Sequence, residues 1–208
     1  QVGEFEEKSV KLAQLIPNLP HETVPVAKGA DGNKVVRSWG EPRKFPFKPR
    51  QHVELGSEIN KLFSMEWGSK ITGSGFPVYC GEGARLERAL INFMIDLHVT
   101  RHGYQEIWPP SLVNRDSMTG TGQLPKMEED MYKLKDDELY MIPTAEVPVT
   151  NLMRDEIIDE AELPKKFVAY TPCFRREAGS YGKDTKGLSR VHQFDKVEMV
   201  KFVKPENS

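Results

Sequence analysis

Cysteine is scarce, with Cys80 and Cys173 the only two in 208 residues. Neither a disulfide framework nor a cysteine-rich zinc cluster can be assembled from them, and a reducing, cytoplasmic setting is the simpler expectation. Long apolar runs are missing as well. The best window, Leu90 to Val99, is interrupted by Asn92, Asp96 and His98 and falls short of the ~20 residues that a membrane span needs. No signal peptide is visible, and no membrane partner is expected. A surplus of one charge is absent too: 29 Lys and Arg stand against 31 Asp and Glu, a net charge of −2. That balance gives no polybasic tail, although local patches could still meet a nucleic acid. Internal repeats and low-complexity tracts are lacking. Apolar residues at 38% against 29% charged are enough to build a core, which excludes a disordered chain.

The chain starts at Gln1 and stops at Ser208 directly after a strand-like run, which predicts a piece of a longer polypeptide. Over residues 1 to 16, Val2, Phe5, Val10, Leu12 and Leu15 recur near helical spacing until Pro17 and Pro20 stop the run. Six prolines and three glycines between 17 and 50 predict a connector with little regular structure. Compact structure is expected from about Gln51. The clearest helix is 83 to 102, where Leu86, Ala89, Leu90, Phe93, Met94 and Leu97 mark one face and Ile91, Ile95 and Val99 another. Such a helix must cover both faces, one against its own sheet and one against a second subunit. Gly103 is placed to end it. Strands are expected at Tyr104–Trp108, Glu138–Ile142, Lys166–Arg176 and Arg190–Val203, with a helix near Val149–Ile158. Long hairpin strands mixed with helices predict an α+β fold built on an antiparallel sheet.

The chemistry concentrates in 171 to 203. Period-two alternation puts Cys173, Arg175 and Glu177 on one face of the first strand. On the second, Arg190, His192, Phe194, Lys196 and Glu198 share a face. Paired antiparallel, the two faces would gather two arginines, two carboxylates and one aromatic ring. Arginine forks suit phosphate and carboxylate, a ring suits a heterocyclic base, and Glu177 suits an exocyclic amine. A solvated sheet face with cross-strand salt bridges is the better account of the alternation taken by itself.

Phe174-Arg175-Arg176-Glu177, a Gly/Lys loop and Arg190-Val191-His192-Gln193-Phe194 resemble the second signature motif of class II aminoacyl-tRNA synthetases. Gly83 to Pro110, a long helix leading into a proline-ended strand, resembles their first. TGTGQLPK at 119–126, IPTAEVP at 142–148 and TPCFRREAGSYGKDTKGLSRVHQF at 171–194 are similar to the serine-specific branch of that class, almost continuously from Ser38 onward.

The resemblance implies roles. Arg175 would hold the ATP α-phosphate, with Arg176 beside it in the ATP site. Glu177 would meet the adenine amine, and Phe194 would stack on adenine near the Val191 backbone. Thr144, Ala145, Glu146 and Glu198 would bind the serine ammonium and hydroxyl. Arg190 would face the serine carboxylate and the reacting phosphate, and the loop Ala178 to Ser189 would touch ATP and the tRNA acceptor end. Mg2+ would accompany ATP, with Glu198 its possible neighbour. L-serine, ATP and serine tRNA are the implied substrates, in a homodimer formed through the helix at 83–102. Residues 1–26 would end a coiled-coil tRNA-binding arm, 27–50 would connect, and 51–208 would be the first part of the catalytic domain. The family's third motif is absent from this stretch; GEGARLERAL at 81–90 is superficially similar to it but precedes the second motif.

Two other functions fit the same residues: a synthetase-like ligase that loads an amino acid onto a carrier protein, and a non-catalytic dimerisation or binding module. His98 and His102 have i, i+4 metal-pair spacing, but no third ligand accompanies them. Cys173 reads as a packed small residue, and the charged run 127–137 as a solvated surface. Trp39, Trp67 and Trp108 read as packing residues.

Overall fold

The structure, a computed structural model, describes residues 2–177 and 187–207, which fall into two units, Gln1–Arg50 and Gln51–Ser208. In the first unit, helix α1 (Val2–Ala13) carries Glu4 in its first turn and Lys11 in its last, the signs that the helix dipole favours. Pro17 and Pro20 follow it. From there to Arg50 the only regular piece among the described residues is a 3-10 turn, Ala30–Gly32.

The second unit opens with a π-helical turn, Glu54–Ile59, and then runs β1 (Phe63–Ser64), α2 (Met65–Ile71), β2 (Val78–Tyr79), α3 (Glu82–His102) and β3 (Gln105–Glu106). It continues through β4 (Leu112–Asn114), α4 (Arg115–Gly120), β5 (Leu139–Met141), α5 (Glu146–Thr150), β6 (Lys165–Phe174) and β7 (Gln193–Phe202). Helix α3 ends at Gly103, whose left-handed φ of 67° and N–H to the His98 carbonyl close the last turn. At its start Gly83 lies against the backbone of residue 62: an added Cβ would come 2.0 Å from the Leu62 oxygen.

Strands β6 and β7 pair antiparallel over ten residues each, from Lys165↔Phe202 to Phe174↔Gln193. β3 adds to the other edge of β6 in parallel, so the sheet is mixed at that edge. Val168 and Tyr170 of β6 and Val197 of β7 pack with Ile95 and Tyr104 at α3. The opposite face packs Phe167, Ala169, Val200 and Phe202 with Ala145 and Val149 at α5. A second core of Val113, Met118, Leu124, Met131, Tyr140, Ile142 and Val147 lies under the β4–β5 hairpin. The fold is thus α+β, a sheet between helices.

The expected helix at 149–158 is not formed. α5 ends at Thr150, a 3-10 turn takes Asn151–Met153, and Asp155 adopts a left-handed φ of 61°. Asn151 breaks the pattern by turning its side-chain amide onto the Val147 and Ser117 carbonyls, at 2.8 and 2.9 Å. The strand expected at Tyr104–Trp108 shrinks to two residues, because Pro109 and Pro110 cannot donate to a ladder.

Candidate active site

The candidate site is built where β6 ends and β7 begins. The register sets Cys173 opposite Phe194, Thr171 opposite Lys196 and Ala169 opposite Glu198, so Phe194, Lys196 and Glu198 line one face of β7 above small, fully buried partners. Small residues on β6 leave room over that face for a ligand. Arg175 lies just past the strand, its N–H on the His192 carbonyl at 2.9 Å and its Nε on the Pro143 carbonyl at 3.4 Å. Its guanidinium sits 5.1 Å from the Phe194 ring centroid, a cation–π contact that holds fork and ring together.

Glu177 departs from strand geometry with a φ of 50°, and this turn brings its carboxylate to Arg190, which donates from Nη1 to Oε2 at 3.0 Å. The alternation that grouped His192 with these residues fails for the same reason: it lies outside β7. Its N–H is bonded to the Gly75 carbonyl, its Nδ1 lies 3.0 Å from the Arg175 carbonyl, and its ring lies against Phe76. His192 therefore braces the site from behind.

Thr144, only 5% exposed, is the hub of the polar end. Its hydroxyl donates to Glu198 Oε2 at 2.8 Å, while Lys196 Nζ donates to Thr144 Oγ1 at 2.9 Å and lies 2.5 Å from Glu198 Oε2. The Glu146 N–H reaches the same hydroxyl at 3.3 Å.

Two cavities meet here. One of 460 Å³ is walled by Thr144, Glu146 and Lys196 on one side and by Gln123, Met127 and Met131 on the other. The second, of 570 Å³, has Phe194, Val191 and Leu188 among its walls. Arg175, Glu177 and Arg190 line both. A small polar chamber and an aromatic-walled chamber thus share two cationic side chains, the arrangement needed to bring two anions together.

A family model for the class II tRNA synthetase core domain (G, H, P, S and T) matches residues 130–208. The serine--tRNA ligase of Geobacillus sp. (strain WCH70) is 57% identical over 208 residues, which is 100% of this chain and 49% of that protein. Among solved structures, the seryl-tRNA synthetase of Pyrococcus horikoshii complexed with ATP superposes with a TM-score of 0.90 at 36% identity, over 100% of this chain and 50% of that one. The likeness to seryl-tRNA synthetases thus runs the whole length of this chain. The cytoplasmic serine-tRNA ligase of Naegleria fowleri, solved in complex with AMP, matches at a TM-score of 0.87 and 32% identity, over 99% of this chain and 49% of that one. The chain spans about half the length of the relatives it matches.

Several positions singled out from the family resemblance sit apart from the cavities. The Ala145 methyl is fully buried with Val149, Phe167 and Ala169, so only its backbone is available to a ligand. Arg176 is exposed; its N–H is bonded to the Asp130 carbonyl at 2.9 Å, and its side chain lines neither chamber. The loop Ala178 to Ser189 lies outside the described residues from 178 to 186. Burial pushes the Cys173 thiol up, as suits a packing residue.

Lys196 and the 123–131 wall are additions to the synthetase site set. The sequence of Met127 to Asp130 reads as a solvated charged run, yet Met127 and Asp130 line the polar chamber and Glu128 is tied to Arg115 at 3.0 Å. The Gly-rich TGTGQLPK stretch was the available signal, because a charged run directly after it must follow wherever that turn leads. Among the described residues no group of three or more His, Cys, Asp or Glu side chains is placed to hold a metal ion. No helix among them is long and apolar enough to cross a membrane.

Proposed function

We propose that the protein carrying this chain is a serine–tRNA ligase, which activates L-serine with ATP and transfers it to the 3′ end of serine tRNA. The observation that carries this reading is the pair of chambers sharing Arg175 and Arg190. Serine would occupy the polar chamber, its hydroxyl and ammonium met by Thr144, Glu146 and Glu198, and its carboxylate turned toward Arg190. Adenine would stack on Phe194, with Glu177 accepting from the exocyclic amine and the Val191 backbone alongside. Arg175 would hold the α-phosphate.

A serine carboxylate oxygen then attacks the α-phosphorus, the bond to the bridging oxygen breaks, and pyrophosphate leaves. Positioned arginines offset the charge that gathers as the two anions meet, and the chain supplies orientation rather than a covalent nucleophile. The tRNA terminal ribose hydroxyl next attacks the mixed anhydride and AMP departs. Magnesium would accompany the ATP phosphates as part of the substrate.

A homodimer through α3 belongs to the same proposal. Leu86, Leu90 and Phe93 on that helix are 55%, 46% and 62% exposed, an apolar stripe suited to a second copy. The test is serine-dependent exchange of pyrophosphate into ATP by the full-length polypeptide. Exchange with serine that is abolished by Arg175→Ala is the expected result. Exchange driven equally by alanine, or none with serine, would overturn the assignment.

A further inference from the structure

We infer that residues 34–50 form an RNA-contacting strip, in which Arg43, Phe45 and Phe47 stack on bases of a bound tRNA while Lys44 and Lys48 meet its phosphates. The choice of tRNA among nucleic acids rests on the proposed ligase reading; the strip itself stands on charge and ring geometry. Residues 34–50 hold six Lys or Arg against one acid, Glu41, whereas the chain as a whole has a net charge of −2. Near-neutrality of the total therefore conceals a local excess of five positive charges. That is the electrostatic footprint of a polyanion partner.

Within this segment the aromatic residues stay in solvent. Trp39 is 95% exposed, Phe47 64% and Phe45 46%. The Arg43 guanidinium carbon lies 5.4 Å from the Phe45 ring centroid, and the Phe45 and Phe47 centroids are 5.3 Å apart at an interplanar angle of 49°. Guanidinium and rings thus form a short, tilted ladder whose flat faces stay open to solvent, the element that sequence-tolerant RNA binding uses alongside a cationic groove. An acidic peptide would satisfy the lysines but leave the rings in water. Burial in a protein core would strand the cations that alternate with them. Pro42, Pro46 and Pro49 each fix φ, so the ladder loses little conformational freedom when a partner arrives.

Fluorescence anisotropy of a labelled serine tRNA, titrated with the 208-residue chain at several salt concentrations, tests the strip. Phe45→Leu/Phe47→Leu keeps apolar bulk and removes the π faces; it is expected to weaken binding about fivefold or more. Lys44→Gln/Lys48→Gln is expected to reduce the slope of log affinity against log salt by about 2. Both pairs lie in exposed segments without regular structure, and an unchanged circular dichroism spectrum verifies folding. Failure of the parent chain to bind, or a leucine variant that binds within about twofold of the parent, overturns the proposal. Serine-dependent pyrophosphate exchange needs no RNA. Its absence would sink the ligase reading alone, and its persistence beside an unaffected leucine variant would sink the strip alone.

Discussion

Thr144 and Glu198 lie 54 positions apart, yet the Thr144 hydroxyl donates to Glu198 Oε2 at 2.8 Å, with Lys196 Nζ touching both. The hydroxyl is buried and fully engaged, so the three side chains act as one polar unit. If that unit reads the serine hydroxyl, an analogue lacking it forfeits the hydrogen bond that the hydroxyl makes with the unit. Glu198→Gln is expected to lower kcat/KM for serine in pyrophosphate exchange by about 10²-fold or more, while the KM for ATP changes far less. A comparable loss on both substrates would place Glu198 in the general scaffold.

Arg175 and Phe194 make a second coupled pair, with the guanidinium over the ring at 5.1 Å. In the proposed site one grips phosphate and the other the base. Phe194→Leu removes the stacking face but keeps an apolar floor, and should raise the KM for ATP about tenfold. Arg175→Lys keeps the charge and loses the planar fork, and should depress kcat more than KM. Steady-state exchange kinetics separate the two patterns.

Much of this site can be read from the amino-acid order, for a definite reason. Phe194 and Glu198 lie within a ten-residue strand whose alternation is regular, so period two puts them on one face with Lys196. Arg175, Glu177 and Arg190 lie beyond the ladder, where alternation no longer applies. Their convergence depends on the left-handed turn at Glu177 and on the Gly75 and Pro143 carbonyls, which are distant in sequence. Ala145 sits among site residues in sequence, while its methyl is claimed by the core beneath α5. The helix expected past Val149 stops where the Asn151 amide turns back onto the Val147 and Ser117 carbonyls and Asp155 takes a left-handed φ, features that depend on tertiary placement rather than on apolar spacing. Long strands and α3 were legible as patterns; the wall at 123–131 was not, being set by tertiary contacts to Arg115 and Tyr140.

That wall is pinned by a small network. Arg115 Nη1 donates to Tyr140 Oη at 2.8 Å and to Glu128 Oε1 at 3.0 Å, and Tyr140 donates to Glu128 at 3.0 Å. Hydrogen bonds from Arg115, then from Tyr140, hold the Glu128 carboxyl below its usual value of 4.5. Its stabilising contribution is therefore present above pH 4.5 and is lost as pH falls below it. Tyr140→Phe is expected to cost about 1 kcal/mol in denaturant unfolding at neutral pH. The charged pair is half-exposed, so Glu128→Gln should cost no more than about 1 kcal/mol. It should also flatten the acid limb of a stability–pH curve.

Tyr170 and Asp195 meet on the opposite, α3-facing side of the sheet, where the phenol donates to Asp195 Oδ1 at 2.7 Å. Burial, then the hydrogen bond to Asp195, pushes the Tyr170 phenol from 10.0 up to about 12. Below pH 10.0 folded and unfolded chains both keep this proton, and the bond contributes fully. Between pH 10.0 and about 12 the unfolded chain releases the proton while the folded chain retains it, so stability falls as pH rises through that window. Tyr170→Phe should remove this limb of the alkaline unfolding curve and lower stability at neutral pH by about 1 kcal/mol. Glu87 on α3 shares the neighbourhood, and its carboxyl is raised first by burial and then by the Asp195 charge. Glu87→Gln is therefore expected to raise the melting temperature at neutral pH, because it relieves a desolvated carboxylate beside a second one. A melting temperature that falls in Glu87→Gln would show that Glu87 has a compensating cationic partner in the folded protein.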